Sequence, residues 1–292
     1  MGRRSWGVVL AVVAGLAVGA PGASGQGGGY WDPSISAWKF TYGDASITGT
    51  IKPPWQEIQE GVPGRISIAP SPTDSTKKVL KVYLHPDDRW RDSNRAEVYA
   101  RHGNVNDYSN WPDGDLQERW YTWSTYLPSN FPKIDKWAII FQWHSMGEGV
   151  PPLAVNVEHG QLQLNHSPDG TNQNMKQLWH SGNEEINGRW HTFRAHIRFS
   201  PVPGLGFVDF WHNNRQVVSG LDKGLIATER CCANQGGVLR PFPNYLKMGL
   251  YRAIERDPDG TEIAFGGAGT LYHGPLRIYT KPDHVVEPTP GE

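Results

Sequence analysis

The sequence predicts an all-β fold, a β-sandwich or jelly roll of two antiparallel sheets with a concave groove on one face. Apolar and polar residues alternate with a period of two over much of the chain, and no segment carries a convincing amphipathic helical stripe. Turn residues recur about every 8–12 positions, the spacing expected of short antiparallel strands. The 34 Gly and 23 Pro follow no fixed repeat, which excludes a collagen-like chain.

Residues 1–25 predict a secretory signal peptide, and hence a secreted protein. Arg3 and Arg4 form a basic start, residues 6–18 are apolar, and Ala23-Ser24-Gly25 offers a cleavage site of small residues. The apolar run is shorter than the roughly 20 residues that a membrane-spanning helix needs. We therefore interpret it as an export signal rather than as an anchor.

The rest of the chain reads as one domain over residues 26–281, followed by a polar, Pro-rich C-terminal tail over 282–292. Without the signal peptide, 26 basic side chains stand against 29 acidic ones, a net charge near −3. Such a chain has no global basic field to attract nucleic acid, and no later stretch could cross a bilayer. We expect neither nucleic acid nor membrane as a partner, and a monomer in solution.

Ten segments of the mature chain alternate as β-strands do. In chain order they cover residues 77–84, 95–101, 119–127, 137–144, 153–157, 161–164, 190–200, 207–211, 245–251 and 276–279. Asn213-Asn214 stands between 207–211 and the short run 216–218, as a two-residue hairpin turn would. Each strand sends alternate side chains to opposite faces of its sheet, so that one face builds the core.

Several of these strands pair an apolar face with an unusual polar face. In 137–144 the predicted core residues are Trp137, Ile139, Phe141 and Trp143. Gln142 and His144 then face outward. The outward residues of 95–101 and 245–251 are Arg95, Glu97, Tyr99 and Arg101, and Tyr245, Lys247, Gly249 and Tyr251. Solvated strand faces usually carry Thr, Ser, Lys and Glu, so this mixture favours a ligand-binding face.

Several enzyme classes find no support in these residues. No Ser lies in a G-x-S-x-G elbow. Glycoside hydrolysis needs a pair of carboxylates, whereas these outward faces hold only Glu97, beside its ion-pair candidate Arg95. The histidines at 144, 159 and 166 lie in separate elements, so a shared metal site is unsupported, and we expect no required cofactor.

A β-elimination on a uronic-acid polysaccharide suits the set better. The C5 proton of a uronate becomes acidic when its carboxylate is neutralised, and Gln142, His144 and Arg95 can donate to that carboxylate. A tyrosine whose pKa is lowered by nearby cations can take the proton and also protonate the departing O4. Tyr251, four residues after Lys247 on the same face, fits that role.

The same residues form three motifs: Asn94-Arg95-Ala96-Glu97, Gln142-Trp143-His144 and Tyr245-Leu246-Lys247-Met248-Gly249-Leu250-Tyr251. In this order they resemble the jelly-roll polysaccharide lyases, which include alginate lyases, heparin lyase I and glucuronan lyases. The alginate lyase pattern has a second Arg where this chain has Tyr99, and it ends on a Gln where this chain has Ala253. The resemblance is therefore closer to the heparin lyase I and glucuronan lyase branch.

The resemblance implies a polysaccharide lyase acting on an anionic, uronate-containing polymer. Arg95, Gln142 and His144 would bind and neutralise the uronate, and Tyr251 would be base, acid or both. The resemblance also implies a substrate-binding set of Lys247, Tyr245, Glu97 and Arg101. A syn elimination can use the tyrosine for both proton steps, whereas an anti elimination needs the histidine as base. We expect glucuronan as the preferred substrate, with alginate second and heparin-type chains third.

Two other functions stay open on the sequence alone: a non-catalytic carbohydrate-binding module or lectin on the same fold, and a sandwich-fold glycoside hydrolase. Individual residues also have structural readings. His144 could be a structural histidine, Lys247 a solvated lysine, and Arg95 and Glu97 an ion pair that stiffens the groove floor.

Two further features are candidates for ligand contact. Jelly-roll lyases sometimes carry a structural calcium ion, for which the acidic turns 113–115 and 257–260 are candidate positions. The tryptophans that could stack on sugar rings are Trp90, Trp111, Trp179 and Trp211.

Overall fold

The computed structural model is a sandwich of two antiparallel β-sheets, as the sequence predicts. It describes residues 28–32, 37–41, 55–100, 118–145, 149–168, 171–199, 206–220, 233–235, 238–240, 244–256, 259–260, 262–264, 266–279 and 281–291. The strands in this part of the chain are β1 (Gly28–Asp32), β2 (Ala37–Thr41), β3 (Trp55–Glu60), β4 (Ile66–Pro70), β5 (Lys78–Leu84), β6 (Asn94–Ala100), β7 (Glu118–Leu127), β8 (Ala138–Ser145), β9 (Leu153–Glu158), β10 (Gln161–His166), β11 (Lys176–His180), β12 (Arg189–Arg198), β13 (Phe207–His212), β14 (Arg215–Val218), β15 (Ala233–Gln235), β16 (Val238–Arg240), β17 (Asn244–Arg252), β18 (Ile254–Arg256), β19 (Glu262–Ala264), β20 (Gly269–His273) and β21 (Leu276–Tyr279). A short 3-10 helix covers Pro282–His284.

The two sheets differ in size. The ten-stranded back sheet has the order β1-β2-β21-β7-β12-β13-β14, with β20 paired to β5 and β7, and β4 paired to β5. The seven-stranded front sheet has the order β11-β10-β9-β8-β17-β6-β3. Strands distant in sequence become neighbours, as when β17 lies between β6 and β8, which is typical of jelly-roll crossovers. The pairs β15–β16 and β18–β19 form separate two-stranded ribbons.

An aromatic cluster fills the space between the sheets. Trp123 of the back sheet is fully buried and stacks on Phe141 of the front sheet, with ring centroids 4.2 Å apart. It also stacks on Phe193 of β12, with ring centroids 5.0 Å apart. Val98 and Met248 complete the front side of the cluster, both without exposed surface. Burial of this apolar area is what holds the sheets face to face.

All ten predicted strands are confirmed, with ends that agree within two residues. The predicted hairpin is confirmed as well, because β13 and β14 pair across it. Asn213 and Asn214 both have positive φ, 48° and 63°, as the preferred two-residue hairpin turn requires.

The strand β8 departs from the predicted alternation. Its pairing with β9 slips between Ile139 and Phe141, which leaves Ile140 as an extra residue in the strand. Such a β-bulge reverses the facing of every residue before it. The prediction that Trp137 and Ile139 face the core is therefore wrong. Ile140 enters the core instead, and Trp137 packs on the outer side against Tyr251.

The C-terminal residues 281–291 contact the back sheet. Glu287 forms an ion pair with Arg194 of β12. Gly291 lies so close to Ser71 and Trp190 that a Cβ atom there would come within 3 Å of both side chains. In the part of the chain that the structure describes, no helix has the length and hydrophobicity to span a membrane. The predicted signal segment, 1–25, lies outside the described residues.

Candidate active site

Three neighbouring strands of the front sheet carry the predicted site residues on their outward face, which we call the site face. Their inward residues, such as Val98 and Met248, build the core. The strand register gives three direct cross-strand pairs: Arg95 with Tyr251, Gln142 with Lys247, and His144 with Tyr245. Glu97 lies on the same face, opposite Gly249. Arg101, the remaining predicted residue, lies outside the described residues.

Arg95 is held between two aromatic rings. Its guanidinium carbon lies 3.9 Å from the ring centroid of Tyr251 and 5.5 Å from that of Trp90. Its Nε donates to Ser93 Oγ at 2.8 Å, and a terminal nitrogen donates to Gln59 Oε1 at 3.3 Å. These contacts fix the plane of the guanidinium. The Arg95 side chain as a whole is 12% exposed.

Glu97 lies beneath Arg95 and Gln142 and joins them. Its Oε1 accepts a hydrogen bond of 2.5 Å from Gln142 Nε2, and its Oε2 lies 3.4 Å from an Arg95 nitrogen. Because an ionised carboxylate only accepts hydrogen bonds, it turns the amide nitrogen of Gln142 towards itself. Only 1% of the Glu97 side chain is exposed, and its carboxylate contacts both Gln142 and Arg95. The predicted Arg95–Glu97 ion pair is present.

Lys247 and His144 both adjoin the Tyr245 ring. The Lys247 ammonium lies 5.6 Å from the ring centroid, and the His144 ring lies 5.3 Å away at a tilt of 30°. On its other side, Tyr245 meets the Tyr99 ring edge to face at 4.6 Å. Lys247 is only 4% exposed, so it is not a solvated surface lysine.

Tyr251 remains half-buried between Arg95 and Trp137, whose ring stands perpendicular to it at 5.0 Å. Sequence reasoning missed Trp137 because the bulge in β8 reverses its facing. It also missed Gln59, whose strand β3 lacks an alternating apolar pattern. Together these residues place a phenol, an imidazole, an amide and two cations on one face, a set suited to an anionic ligand and proton transfer.

The other candidate features lie elsewhere. Trp90 adjoins Arg95, but Trp179 packs inward against Phe210 and His212, and Trp211 stacks under Arg194 on the back sheet. Trp111 and the turn 113–115 lie outside the described residues, as do residues 257 and 258. Within the described residues, no group of three or more His, Cys, Asp or Glu side chains is arranged to hold a metal ion.

Comparison with known proteins gives a family match and several similar solved structures. A family model described as polysaccharide lyase matches residues 46–273. No curated protein sequence matches the chain. Among solved structures, an endo-β-1,4-glucuronan lyase from the fungus Trichoderma reesei gives a TM-score of 0.54 at 14% identity, covering 78% of this chain and 91% of that chain.

Two other solved structures are less similar. Alginate lyase A1-II′, a member of polysaccharide lyase family 7, gives a TM-score of 0.44 at 12% identity over 74% of this chain and 83% of its own. A GH131 β-glucanase catalytic domain from Podospora anserina gives 0.45 at 11% identity over 78% and 85%. Of these three structures, only the glucuronan lyase from Trichoderma reesei has a TM-score above 0.5, and at 14% identity that similarity supports a shared fold and nothing more.

Proposed function

The chain belongs to the polysaccharide lyase family, and we propose that it is a secreted enzyme that cleaves a glucuronate-containing polysaccharide by β-elimination. The family decides between the functions that the sequence leaves open, in favour of a lyase over a lectin or a glycoside hydrolase. The choice of substrate, the residue roles and secretion are our proposals.

One observation carries the assignment of the site. The register of β6, β17 and β8 brings Tyr251, Arg95 and Gln142 onto one face of three adjacent strands. Lys247 and His144 lie on that face as well. The sequence predicts that these residues share one face from strand phase, and an arrangement with Gln142 and Tyr251 on opposite faces would have refuted the site.

In the proposed reaction, cations and amide donors bind the uronate carboxylate while Tyr251 moves protons. Lys247, Arg95 and the second N–H of Gln142 supply positive charge and donors to the carboxylate, which stabilises the enolate-like intermediate. The C5 proton leaves to a base, the C4–C5 double bond forms, the C4–O4 bond breaks, and O4 takes a proton. Tyr251 can perform both proton steps when C5–H and O4 lie on the same side of the ring.

His144 is the second candidate proton carrier. It is half-buried beside Tyr245, one cross-strand row away from the Gln142–Lys247 pair. A substrate of the opposite C5 configuration presents its proton on the other side of the ring from O4. In that case His144 would serve as base and Tyr251 as acid, so the epimer that is cleaved decides the roles.

Glucuronan is our first choice of substrate. The departures from the alginate pattern at Tyr99 and Ala253 support it, and so does the shared fold with a lyase named for glucuronan. Heparin-type chains rank last because they are densely sulfated, and a chain of net charge near −3 exerts no long-range attraction on them.

A single assay tests the function. The purified protein is incubated with glucuronan, alginate and heparin, and the ultraviolet absorbance of the unsaturated product is followed. We expect product from glucuronan first. Turnover of heparin without turnover of glucuronan would overturn the ranking, and binding without product from any uronan would refute the elimination.

Secretion has its own test. We propose that export removes residues 1–25, because that segment has the basic start, apolar run and small-residue site of a signal peptide. N-terminal sequencing of the protein recovered from the culture medium should begin near Gln26. Exported protein that retains Met1 would contradict the proposal.

A further inference from the structure

The site face continues beyond Gln142 across β9 and β10, where amide side chains replace charged ones. Asn156 and Gln163 face each other directly across these two strands. Asn165 faces Ala154, which in turn faces Gln142. The strand register thus extends the site by two rows: Gln142–Ala154–Asn165 and Ile139–Asn156–Gln163.

Two of these amides have an oxygen atom without a hydrogen-bond donor. Asn156 is 4% exposed and Asn165 is 7% exposed. The Oδ1 atom of each is shielded from solvent and accepts no hydrogen bond from any residue that the structure describes. Asn165 donates its Nδ2 to Gln163 Oε1 at 3.5 Å, which leaves its oxygen as the end of the amide that lacks a partner. Buried acceptors without donors cost free energy, so a pair of them side by side calls for a ligand that donates.

The side chains on β9 and β10 indicate which chemical groups could bind there. A sugar hydroxyl donates a hydrogen bond, whereas an ionised carboxylate or a sulfate ester only accepts. The four outward residues Ala154, Asn156, Gln163 and Asn165 include no Lys or Arg that could bind an anionic group. The cations Arg95 and Lys247 lie instead on β6 and β17, on the opposite side of Gln142.

We propose that β9 and β10 form a subsite for a sugar next to the cleaved uronate, and that this subsite recognises free hydroxyl groups and excludes sulfated sugars. Neighbouring strands lie about 4.8 Å apart, so Asn165, two strands from Gln142, lies about 10 Å away, too far to share one sugar ring with it. The inference rests on the proposed function, because it takes the site face as the place where a polysaccharide binds. It narrows the substrate class to unsulfated uronans.

Binding measurements on a variant with strongly reduced turnover test the subsite. Isothermal titration calorimetry of a glucuronan oligosaccharide compares Tyr251→Phe with the same protein carrying Asn156→Ala or Asn165→Ala. Loss of one neutral hydrogen bond should weaken binding about three- to tenfold per substitution. Gln216→Ala, an exposed amide on β14 of the back sheet, is the matched control and should bind as the parent does. An O-sulfated oligosaccharide should bind more weakly to the Tyr251→Phe parent. Its affinity should not change with either asparagine substitution.

Thermal unfolding of the free variants separates a ligand site from a structural role. Because Asn156 Oδ1 accepts no hydrogen bond from the described residues, Asn156→Ala should leave the melting temperature nearly unchanged, whereas Asn165→Ala also removes the donor to Gln163 Oε1 and should lower it slightly. A lower melting temperature with unchanged affinity would overturn the subsite. If wild-type protein yields no unsaturated product but the asparagine variants still lose affinity, the proposed function fails and the subsite stands. If product forms and affinity is unaffected, the subsite alone fails.

Discussion

At the scale of single residues, the ring of Tyr251 is held by two neighbouring side chains. Arg95 covers one face of its ring and Trp137 meets it edge to face, so packing holds the ring in place. Both contacts involve the ring alone. The hydroxyl can therefore be removed without disturbing the ring or the fold, which makes the proposed proton transfer testable.

Tyr251→Phe should abolish most of the turnover and leave substrate binding nearly intact. A positioned general acid or base contributes about 10²–10⁴-fold in rate, and a residue that serves as both should lie at or above the top of that range. Gln142→Ala should cost roughly 10²–10³-fold and should also raise KM, because its carboxylate partner is charged already in the ground state. Steady-state kcat and KM of both variants decide the matter. If Tyr251→Phe keeps more than about a tenth of the wild-type kcat, His144 becomes the proton carrier.

Glu97→Gln should reduce turnover because Glu97 holds both Gln142 and Arg95 in place. The substitution keeps the shape of the side chain but removes the charge that faces Arg95. A glutamine can also donate, so it no longer dictates which way the Gln142 amide points. Misplacement of groups around the reacting atoms can cost up to about 10²-fold in rate.

The expected pattern for Glu97→Gln is a lower kcat, a raised KM and a nearly unchanged melting temperature. Asp74→Asn provides the control, since Asp74 is an exposed acid that contacts only Thr76 and Lys77 among the described residues. If Glu97→Gln lowers the melting temperature enough to explain the lower activity by unfolding alone, Glu97 has a structural role.

At the scale of elements, the strand β17 depends on a close approach to β6. A Cβ atom at Gly249 would lie 2.2 Å from the carbonyl oxygen of Ala96 and 2.6 Å from Glu97 Cα. Both obstacles are backbone atoms within a paired strand, which cannot move aside without breaking the register that aligns Arg95 with Tyr251.

Gly249→Ala should therefore destabilise the protein and disturb the site together. Overpacking in a closely packed region costs about 1–3 kcal/mol, and more where the obstacle is backbone. Gly267→Ala is the matched control, because a Cβ at that position meets no atom within 4 Å. Chemical denaturation of the two variants measures the difference in the free energy of unfolding. Equal stability of both would show that β6 and β17 can separate at Gly249 without cost.

Several strands at the sheet edges escape the sequence prediction. Strands such as β6, β12 and β17 lie between two partners and bury one face, so their apolar alternation is strict. The edge strands β3, β4 and β11 pair on one side only, and their weaker patterns escape prediction. This is why the sequence does not predict Gln59 on β3, which accepts a hydrogen bond from Arg95.

The bulge in β8 shows a second limit of sequence reasoning. The odd positions of residues 137–144 are all large and apolar, yet the register with β9 slips between Ile139 and Phe141, where Ile140 is an extra residue. That slip arises from tertiary pairing, which local patterns do not encode. Gln142 and His144, on the far side of the slip, keep their predicted facing, whereas Trp137 changes face and joins the site.

At the scale of the whole molecule, buried histidines connect the two sheets and the loops around them. His273 of the back sheet accepts from Thr125 Oγ1 through Nδ1 at 2.9 Å and donates from Nε2 to the Gly249 carbonyl of the front sheet at 3.4 Å. His191 donates from Nε2 to the Ile186 carbonyl at 2.7 Å, so its Nδ1 accepts the hydrogen bond from His212 at 2.9 Å. Each network is complete with neutral imidazole rings.

These histidines should make the stability of the protein fall as the pH is lowered below about 6.5, the ordinary pKa of histidine. Burial lowers the pKa of His273 to about 3, and burial together with the nearby His191 lowers that of His212 to about 3. Burial also lowers the pKa of His191. Between pH 6.5 and pH 3 the unfolded chain binds protons at these histidines that the folded chain does not. Their contribution to the free energy of unfolding is therefore complete above about pH 6.5 and is lost as the pH falls towards 3.

The pH dependence can be assigned to one residue by substitution. We expect the free energy of unfolding of the wild type, measured by denaturation in urea at pH 7, 6, 5 and 4, to decline by up to about 1.4 kcal/mol per pH unit for each of these histidines. His212→Phe fills the same aromatic site beside Phe193 and Trp179 but cannot take up a proton, so it should be less stable at pH 7 and show a shallower decline. His180→Gln, on the edge strand β11, controls for the removal of a histidine as such. A decline equally steep in His212→Phe and in the wild type would show that the acid sensitivity arises elsewhere, since only a group that titrates differently in the two states can change this slope.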